Sequence, residues 1–178
     1  MLEPALPPPP WNVQEAVHAL AAEPFESRRA WARASAVGGG LGPDAAEALL
    51  ACLLHPSPPP PGVHAFDWTV AFQFAAVQAL AFLDGGWREG ARRRALSSIL
   101  LGPRDWTTGM AAVVLARLAQ DEPMVSTDVS LAFQKLDAAR PDSGEVAYET
   151  AFLAAWATLP GLSGAEARRI KERQRAGP

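Results

Sequence analysis

The sequence predicts an all-α protein, a short α-solenoid of about four antiparallel helical pairs that follows an N-terminal capping helix. The prediction depends on three short blocks with a shared pattern. Each block consists of an aromatic residue, two spacer residues, a small residue and a large apolar residue. The blocks begin at Trp68, Trp106 and Tyr148, so they recur after 38 and 42 residues, within the period range of stacked helical repeats. Alanine and leucine, which favour helix, dominate the 49% of hydrophobic residues.

The N-terminus divides into an extended segment and the predicted capping helix. Residues 1–10 hold five of the prolines, which fix φ and lack an amide hydrogen, so this stretch is expected to be extended. Asn12 is a plausible N-cap for a short helix that runs to about Ala22 and is ended by Pro24. The predicted solenoid then occupies residues 11–178 as a single domain.

The first helical pair is predicted over residues 27–62. Ser27 caps a helix that the glycines at 38–40 and 42 are expected to end, and Pro43 with Asp44 starts a partner helix that runs to about Leu54. The buried face of this partner helix is predicted to be Ala46, Leu49, Leu50, Leu53 and Leu54. The proline run 56–61 follows, and no helix can cross it. This run, like residues 4–10, is either a polyproline ligand for another protein or a rigid spacer; we favour the spacer.

Three further pairs are predicted over residues 63–104, 105–144 and 145–175. Asp67 and Asp105 each precede the repeated tryptophan, where a carboxylate can accept the first free amides of a helix, so both are predicted N-caps. The helix after Asp67 is apolar on nearly all sides, which indicates that other helices flank it. The final helix, from Ser163, is polar and basic, as expected where a solenoid shields its open end.

The repeated block describes a buried seam. With the aromatic numbered zero, positions 0, +4, +7 and +11 lie on one stripe of a helix. The small residue at +3 (Ala71, Gly109 or Ala151) would let a neighbouring helix approach closely. We therefore predict a core that includes the following residues: Trp68, Phe72, Trp106, Met110, Tyr148, Phe152 and Trp156.

The units resemble HEAT-like repeats of the short bacterial variety, over about residues 27–175. The resemblance is carried by Arg28-Arg29-Ala30, by the turn at 42–46, by Ala75-Ala76-Val77 with Leu83, and by residues 111–115 with Leu118. It implies stacked helical pairs whose second helices form one exposed face, and it implies no particular reaction. The Gly-rich and Pro-rich connectors of the first unit depart from the family's pattern.

We predict that the chain is a non-catalytic scaffold or adaptor that binds another protein through this exposed face. An arginine-rich strip could receive acidic residues of a partner. The competing interpretation is that these charges only solvate the outer surface. The candidate partner-binding residues are Arg92, Arg93, Arg94, Lys135, Arg168 and Arg169.

Nucleic-acid binding is the alternative function, since some HEAT-like proteins, DNA glycosylases among them, hold DNA in an arginine-lined groove. Phosphate contacts dominate such affinity, and the net charge of −3 argues against it. Residues 68–83 form the most apolar segment, but they are shorter than the ~20 residues of a spanning helix. A single cysteine fits a reducing cytoplasm, and the predominance of arginine, alanine, glycine and proline is typical of a GC-rich bacterial genome.

Catalytic constellations are not evident in the sequence. His18, His55 and His64 have no metal-ligand spacing, so neither a metal nor a cofactor is predicted. Cys52 lies among leucines, where a thiol is usually inert core filling. Asp67 and Asp105 could be read as paired catalytic carboxylates, but their shared place before a tryptophan favours capping.

Overall fold

The structure, a computed structural model, describes residues 12–24, 27–42, 44–83, 87, 90–139 and 148–176. The predicted extended segment 1–10 and the predicted helix start at Pro43 lie outside these residues. Within the described ranges all regular structure is helical, in agreement with the predicted all-α class. Nine helices are formed: α1 Val13–Ala21, α2 Arg28–Gly40, α3 Ala45–Leu54, α4 Ala65–Ala81, α5 Ala91–Leu100, α6 Trp106–Asp121, α7 Pro123–Ala138, α8 Glu149–Trp156 and α9 Gly164–Ala176.

The chain divides into two compact units, Met1–Ala95 and Leu96–Pro178, with the boundary inside α5. The first unit is built around α4, against which α1, α2 and α3 all pack. Every residue from Phe72 to Ala81 is buried, so the prediction that other helices flank this one is confirmed. Burial of each large apolar side chain here stabilises the fold by about 1.5–3 kcal/mol.

Two hydrogen bonds fix the chain between α3 and α4. Gln73 Nε2 donates to the carbonyl oxygen of Leu53 at 2.7 Å, and Trp68 Nε1 donates to that of Ser57 at 2.8 Å. The first bond satisfies a carbonyl in the last turn of α3, which has no partner within its own helix. The buried indole of Trp68 is also in contact with His18 of α1, at a ring-centroid distance of 4.7 Å.

α2 ends at Gly40, so it terminates among the glycines at 38–40 and 42 as predicted, although Gly38 itself is still helical. Gly38 also has a packing role. A Cβ on Gly38 would lie 2.5 Å from the carbonyl oxygen of Ala79 and 2.7 Å from Cβ of Phe82. The absence of a side chain therefore allows α2 to approach α4.

The second unit contains α6, which packs against α7 and α8, and α9, which packs against α8. Phe133 of α7 meets two aromatic residues of α8, with ring centroids 5.2 Å from Phe152 and 6.4 Å from Trp156. All three side chains are fully buried. They form the centre of this unit's core.

The small residue at position +3 of the repeated block does mark a close helix contact in the second unit. A Cβ on Gly109 would lie 3.0 Å from Cβ of Ala151, and both residues occupy that position in their own blocks. Further along the same pair of helices, Gln120 Nε2 donates to the carbonyl oxygen of Thr158 at 3.4 Å, just past the end of α8.

Most predicted caps are present. The side chains of Asn12, Ser27 and Asp105 accept amide hydrogen bonds from the first turns of α1, α2 and α6. Asp67 is not a cap, because α4 begins earlier, at Ala65, and Asp67 lies exposed in its first turn. α7 begins with Pro123 as its first residue, a position where the missing amide hydrogen has no cost.

Six of the seven predicted core residues of the repeated blocks are buried. The exception is Trp106, whose exposed fraction is 44%. Trp106 is the first residue of α6, so its side chain lies at the N-terminal end of the helix. Leu54, predicted to be buried, is 77% exposed because it is the last residue of α3; Cys52, two residues before it, is buried as predicted. None of the helices in the described ranges combines the length and the hydropathy needed to cross a membrane.

Candidate functional site

Arg92, Arg93 and Arg94, the first group of predicted partner-binding residues, lie at the start of α5 in the first unit. Arg92 Nη1 donates to the carbonyl oxygen of Ala81 at 3.1 Å, and its guanidinium carbon lies 5.7 Å from the ring centroid of Trp87. Ala81 is the last residue of α4, so the arginine satisfies a helix-end carbonyl. Arg92 therefore has a structural role, while Arg93 is half-buried and Arg94 is exposed.

The other predicted residues, Lys135, Arg168 and Arg169, lie in the second unit, on α7 and α9. Lys135 and Arg168 are exposed. Arg169 is engaged locally: its Nη2 lies 3.3 Å from Oδ2 of Asp137, and its guanidinium carbon lies 5.2 Å from the ring centroid of Trp156. A cation over an aromatic face adds to the attraction of the ion pair, so Arg169 helps to hold α9 in place.

A groove of about 420 Å³ runs between α7 and α9. Its walls are bridged by a hydrogen bond of 2.9 Å from Gln134 Nε2 to Glu166 Oε1. The groove holds two carboxylates and one guanidinium, so its charges largely balance. The lining residues are Gln134, Asp137, Ala138, Ala165, Glu166 and Arg169.

Below the groove, Arg173 joins three helices of the second unit. Its guanidinium is bonded to Asp137 of α7 through Nη1 and to Glu149 of α8 through Nη2, the latter at 2.7 Å. The side chains of both acids are largely buried. Burial disfavours the charged arginine, but the hydrogen bonds with Glu149 and Asp137 outweigh it and raise the pKa of Arg173 above its ordinary value. The sequence analysis missed this cluster, whose members are far apart in the chain.

The start of α9 is a reciprocal capping box. Ser163 Oγ accepts from the amide of Glu166 at 3.2 Å, and Glu166 Oε2 accepts from the amide of Ser163 at 3.1 Å. Hydrogen bonds from the side chains of Ser163 and Gln134 stabilise the carboxylate and lower the pKa of Glu166. The carboxylate of Glu166 is thus committed to structure rather than to chemistry.

The outer face of α7 carries large apolar side chains that the sequence analysis did not single out. Met124 is 63% exposed and Leu131 is 60% exposed. They lie seven residues apart, on the same side of the helix. At 100° per residue the exposed positions of α7 after its first residue, Pro123, fall within about 100° of arc. We call this set the α7 stripe: Met124, Thr127, Leu131, Gln134, Lys135 and Ala138.

A signal for the α7 stripe was present in the sequence. The inward face of α7 consists of Val125, Val129, Phe133 and Leu136, all buried. Once that face is assigned, Met124 and Leu131 remain as large apolar residues on another side. Only Lys135 of the stripe carries a charge, which is unusual for an exposed helix face.

The residues considered for catalysis do not form a reaction centre in the described part of the chain. His55 and His64 are exposed and His18 packs against Trp68. Burial raises the pKa of the Cys52 thiol, which disfavours the nucleophilic thiolate. A group of three or more His, Cys, Asp or Glu side chains able to hold a metal ion is not found among these residues. Comparison with known protein families, with curated proteins and with solved structures finds no match to this chain.

Proposed function

We propose that this protein is a non-catalytic binding module that contacts another protein through the α7 stripe. The observation that carries the proposal is the exposure of Met124 and Leu131 on one side of α7. A helix face that touches only water is normally polar, whereas this one offers apolar side chains that a partner could bury.

The order of contacts in the second unit supports a HEAT-like arrangement. Gly109 of α6 contacts Ala151 of α8, and Gln120 of α6 contacts Thr158, which follows α8. The later residue of α6 therefore meets the later residue of the neighbouring segment. The α7–α9 contacts also keep their order: Gln134 meets Glu166, and Asp137 meets Arg169 three residues later in each helix. First helices that run parallel to each other, and second helices that do the same, are what two stacked helical pairs require.

The chemistry of the α7 stripe favours an amphipathic partner with acidic residues. Met124 is flexible and polarisable and can adapt to several apolar surfaces. Lys135 follows Leu131 by one turn, and it can pair with a carboxylate next to the apolar contact. Arg168, exposed on α9, offers a further cation in this unit. Burial of Met124 and Leu131 in an interface would contribute about 1.5–3 kcal/mol each.

The charges of the α7–α9 groove do not favour nucleic acid. Arg169 faces Asp137, and Arg173 faces both Asp137 and Glu149. Phosphate binding needs cations that are free to replace counterions, and these two guanidinium groups already have carboxylate partners. We therefore place protein binding ahead of the arginine-lined DNA groove.

The test is affinity purification from the native host with three versions of the chain: wild type, Leu131→Asp and Ala154→Asp. Ala154 is exposed on α8 and outside the stripe, so the same charge is introduced away from the proposed surface. We expect wild type and Ala154→Asp to retain the same specific partner and Leu131→Asp to lose it. Equal retention by all three, with equal melting midpoints, would refute the α7 stripe as the contact site.

A second pair of variants tests the charge. Lys135 and Lys171 are the only lysines of the chain, and both are exposed. Lys171 lies about 200° round α9 from Arg169, which faces α7. Lys135→Glu should weaken partner capture, and Lys171→Glu should leave it intact. Charge reversal at Arg93 and Arg94 tests the other predicted surface, on α5. If only this variant loses the partner, the binding site lies on α5 and not on the α7 stripe.

A further inference from the structure

The connector between α3 and α4 has the geometry of a polyproline ligand. Every residue of the run 56–61 except Ser57 is a proline. Each residue from Ser57 to Pro60 is also followed by a proline. Proline fixes its own φ and drives the preceding residue towards extended or polyproline II backbone. Proline and pre-proline restrictions therefore favour polyproline II backbone over residues 56–60, about 16 Å at 3.1 Å per residue. The chain turns directly afterwards, at 60–63, where the amide of Val63 donates to the carbonyl oxygen of Pro60 at 3.1 Å.

Burial along this segment follows the three-residue repeat of a polyproline II helix from Ser57 onward. Pro56, Ser57 and Pro60 are partly buried, whereas Pro58, Pro59 and Pro61 are exposed. The edge of Ser57 and Pro60 thus lies against the protein and the edge of Pro58 and Pro61 faces solvent. The third edge is partly buried at Pro56 and exposed at Pro59. Domains that recognise such helices insert the proline rings into grooves lined by aromatic side chains.

Hydrogen bonds hold the segment in this form before any partner arrives. Gln73 binds the carbonyl of Leu53 just before the segment, and Trp68 binds the carbonyl of Ser57 within it. Both donor residues are buried in α4, so the attachment points are rigid. A ligand that is already ordered loses less conformational entropy on binding.

The surroundings of the segment are apolar and uncharged. Residues 54–66 contain no Asp, Glu, Lys or Arg. Leu54, Val63 and Phe66, at the two ends of the stretch, are exposed by 77%, 43% and 56%. An aromatic groove could approach this stretch without burying a formal charge, which would be costly.

The sequence alone favours a rigid spacer at residues 56–61, but from the exposure of Pro58, Pro59 and Pro61 we propose that this run is a preformed ligand for a protein domain with an aromatic-lined polyproline groove. The rings of Pro58 and Pro61 lie on one exposed edge and enter the groove, and Pro59 is exposed on the third edge. Trp68 acts as a positioning residue that presents the segment. This contact uses the first unit and does not depend on the α7 stripe.

The experiment titrates the full chain into isotope-labelled SH3, WW and EVH1 domains and records chemical shifts. We expect at least one domain to bind with a Kd below about 1 mM, and shifts at its groove aromatics. The double variant Pro58→Ala/Pro61→Ala should bind at least about tenfold more weakly. The control is Pro160→Ala, which removes an exposed proline outside the segment and should bind like wild type.

Two outcomes would overturn this proposal. One is that no domain of the three classes binds the wild-type chain below about 1 mM. The other is that Pro58→Ala/Pro61→Ala binds as tightly as wild type. Because Pro58 and Pro61 are exposed, the double variant should keep the wild-type melting midpoint, so weaker binding cannot be ascribed to unfolding.

Discussion

The same sequence block has different surroundings in the two units of this protein. Trp68, in the first unit, is 4% exposed, whereas Trp106, in the second, is 44% exposed. Trp68 is the fourth residue of its helix, where α1 and the connector reach it, and Trp106 is the first residue of its own. A repeated motif therefore specifies a helical stripe, but the surroundings of the helix start decide whether its first position is covered, since Tyr148, directly before α8, is buried as well.

The two units also differ in how their helices are held together. In the first unit α4 is surrounded by helices, and the contacts of this unit are mostly apolar, although Arg92 binds the carbonyl of Ala81 and Arg33 of α2 pairs with Glu23. In the second unit, charged and polar side chains link α7, α8 and α9, with Arg173 at the centre. Changes in apolar side chains should thus weaken the first unit most, and changes in charge should weaken the second.

The largest expected effect tests the contrast between the two tryptophans. Trp68→Ala should lower the free energy of unfolding by about 3–5 kcal/mol, because it leaves a cavity next to α1 and removes the bond to Ser57. Trp106→Ala should cost about 1 kcal/mol, as expected for a residue near the surface. Urea unfolding of both variants measures the difference. Equal losses would show that Trp106 is as important to the core as Trp68.

The second prediction concerns the charged cluster of the second unit. Arg173→Met should cost about 3 kcal/mol, because Asp137 and Glu149 stay largely buried without this guanidinium. The value is at the lower end of the usual range since Arg169 still faces Asp137. Arg175→Met, at an exposed position of the same helix, is the control and should unfold like wild type. A stable Arg173→Met variant would mean that the cluster contributes little.

Two adjacent glycines provide the third prediction, with effects of opposite sign. Gly38→Ala should destabilise the protein by about 2 kcal/mol, because the new Cβ would clash with the backbone of α4. Gly39→Ala should stabilise it by about 0.5–1 kcal/mol, since a Cβ there meets nothing within 4 Å and alanine favours helix. Thermal melting of the two variants separates packing from helix propensity. Effects of the same sign would contradict the close contact at Gly38.

The smallest expected effect is the pH dependence of the α9 cap. The folded protein holds the pKa of Glu166 below its ordinary value of 4.5, so the carboxylate stabilises the fold above that value. The contribution is lost as pH falls through the lower pKa of the folded state. Glu166→Gln should therefore be less stable than wild type at neutral pH, and the difference should shrink as pH falls below 4.5. A difference that stays constant over an acid melting series would contradict this role of the carboxylate.

Local patterns predicted the helices and much of the core, because apolar spacing and caps act within one or two turns. Asn12, Ser27 and Asp105 show how reliable a cap can be when a helix begins where the pattern indicates. Asp67 failed because α4 begins three residues before the pattern indicates, at Ala65, and residues 65–67 are exposed. The close contact of Gly38 was also hidden, because its partner, Ala79, lies 41 residues further along the chain and no local rule connects them.

The candidate site was predicted only in part. Lys135 was named from its charge, but the exposed Met124 and Leu131 emerged only once the buried face of α7 was known. The bond between Arg92 and Ala81 was equally hidden, because a helix-end carbonyl gives no signal of its own in a sequence. Side chains that join separate helices, such as Arg173, are the least accessible to sequence reasoning.

The indole of Trp68 offers a natural reporter of the connector. Its N–H is buried and bonded to Ser57, so its hydrogen should exchange with deuterated solvent more slowly than that of a surface indole. Detachment of residues 56–61 would expose it without unfolding α4. The exchange rate of this one proton, resolved from the other five tryptophans, would therefore measure how often the proline segment leaves the protein surface.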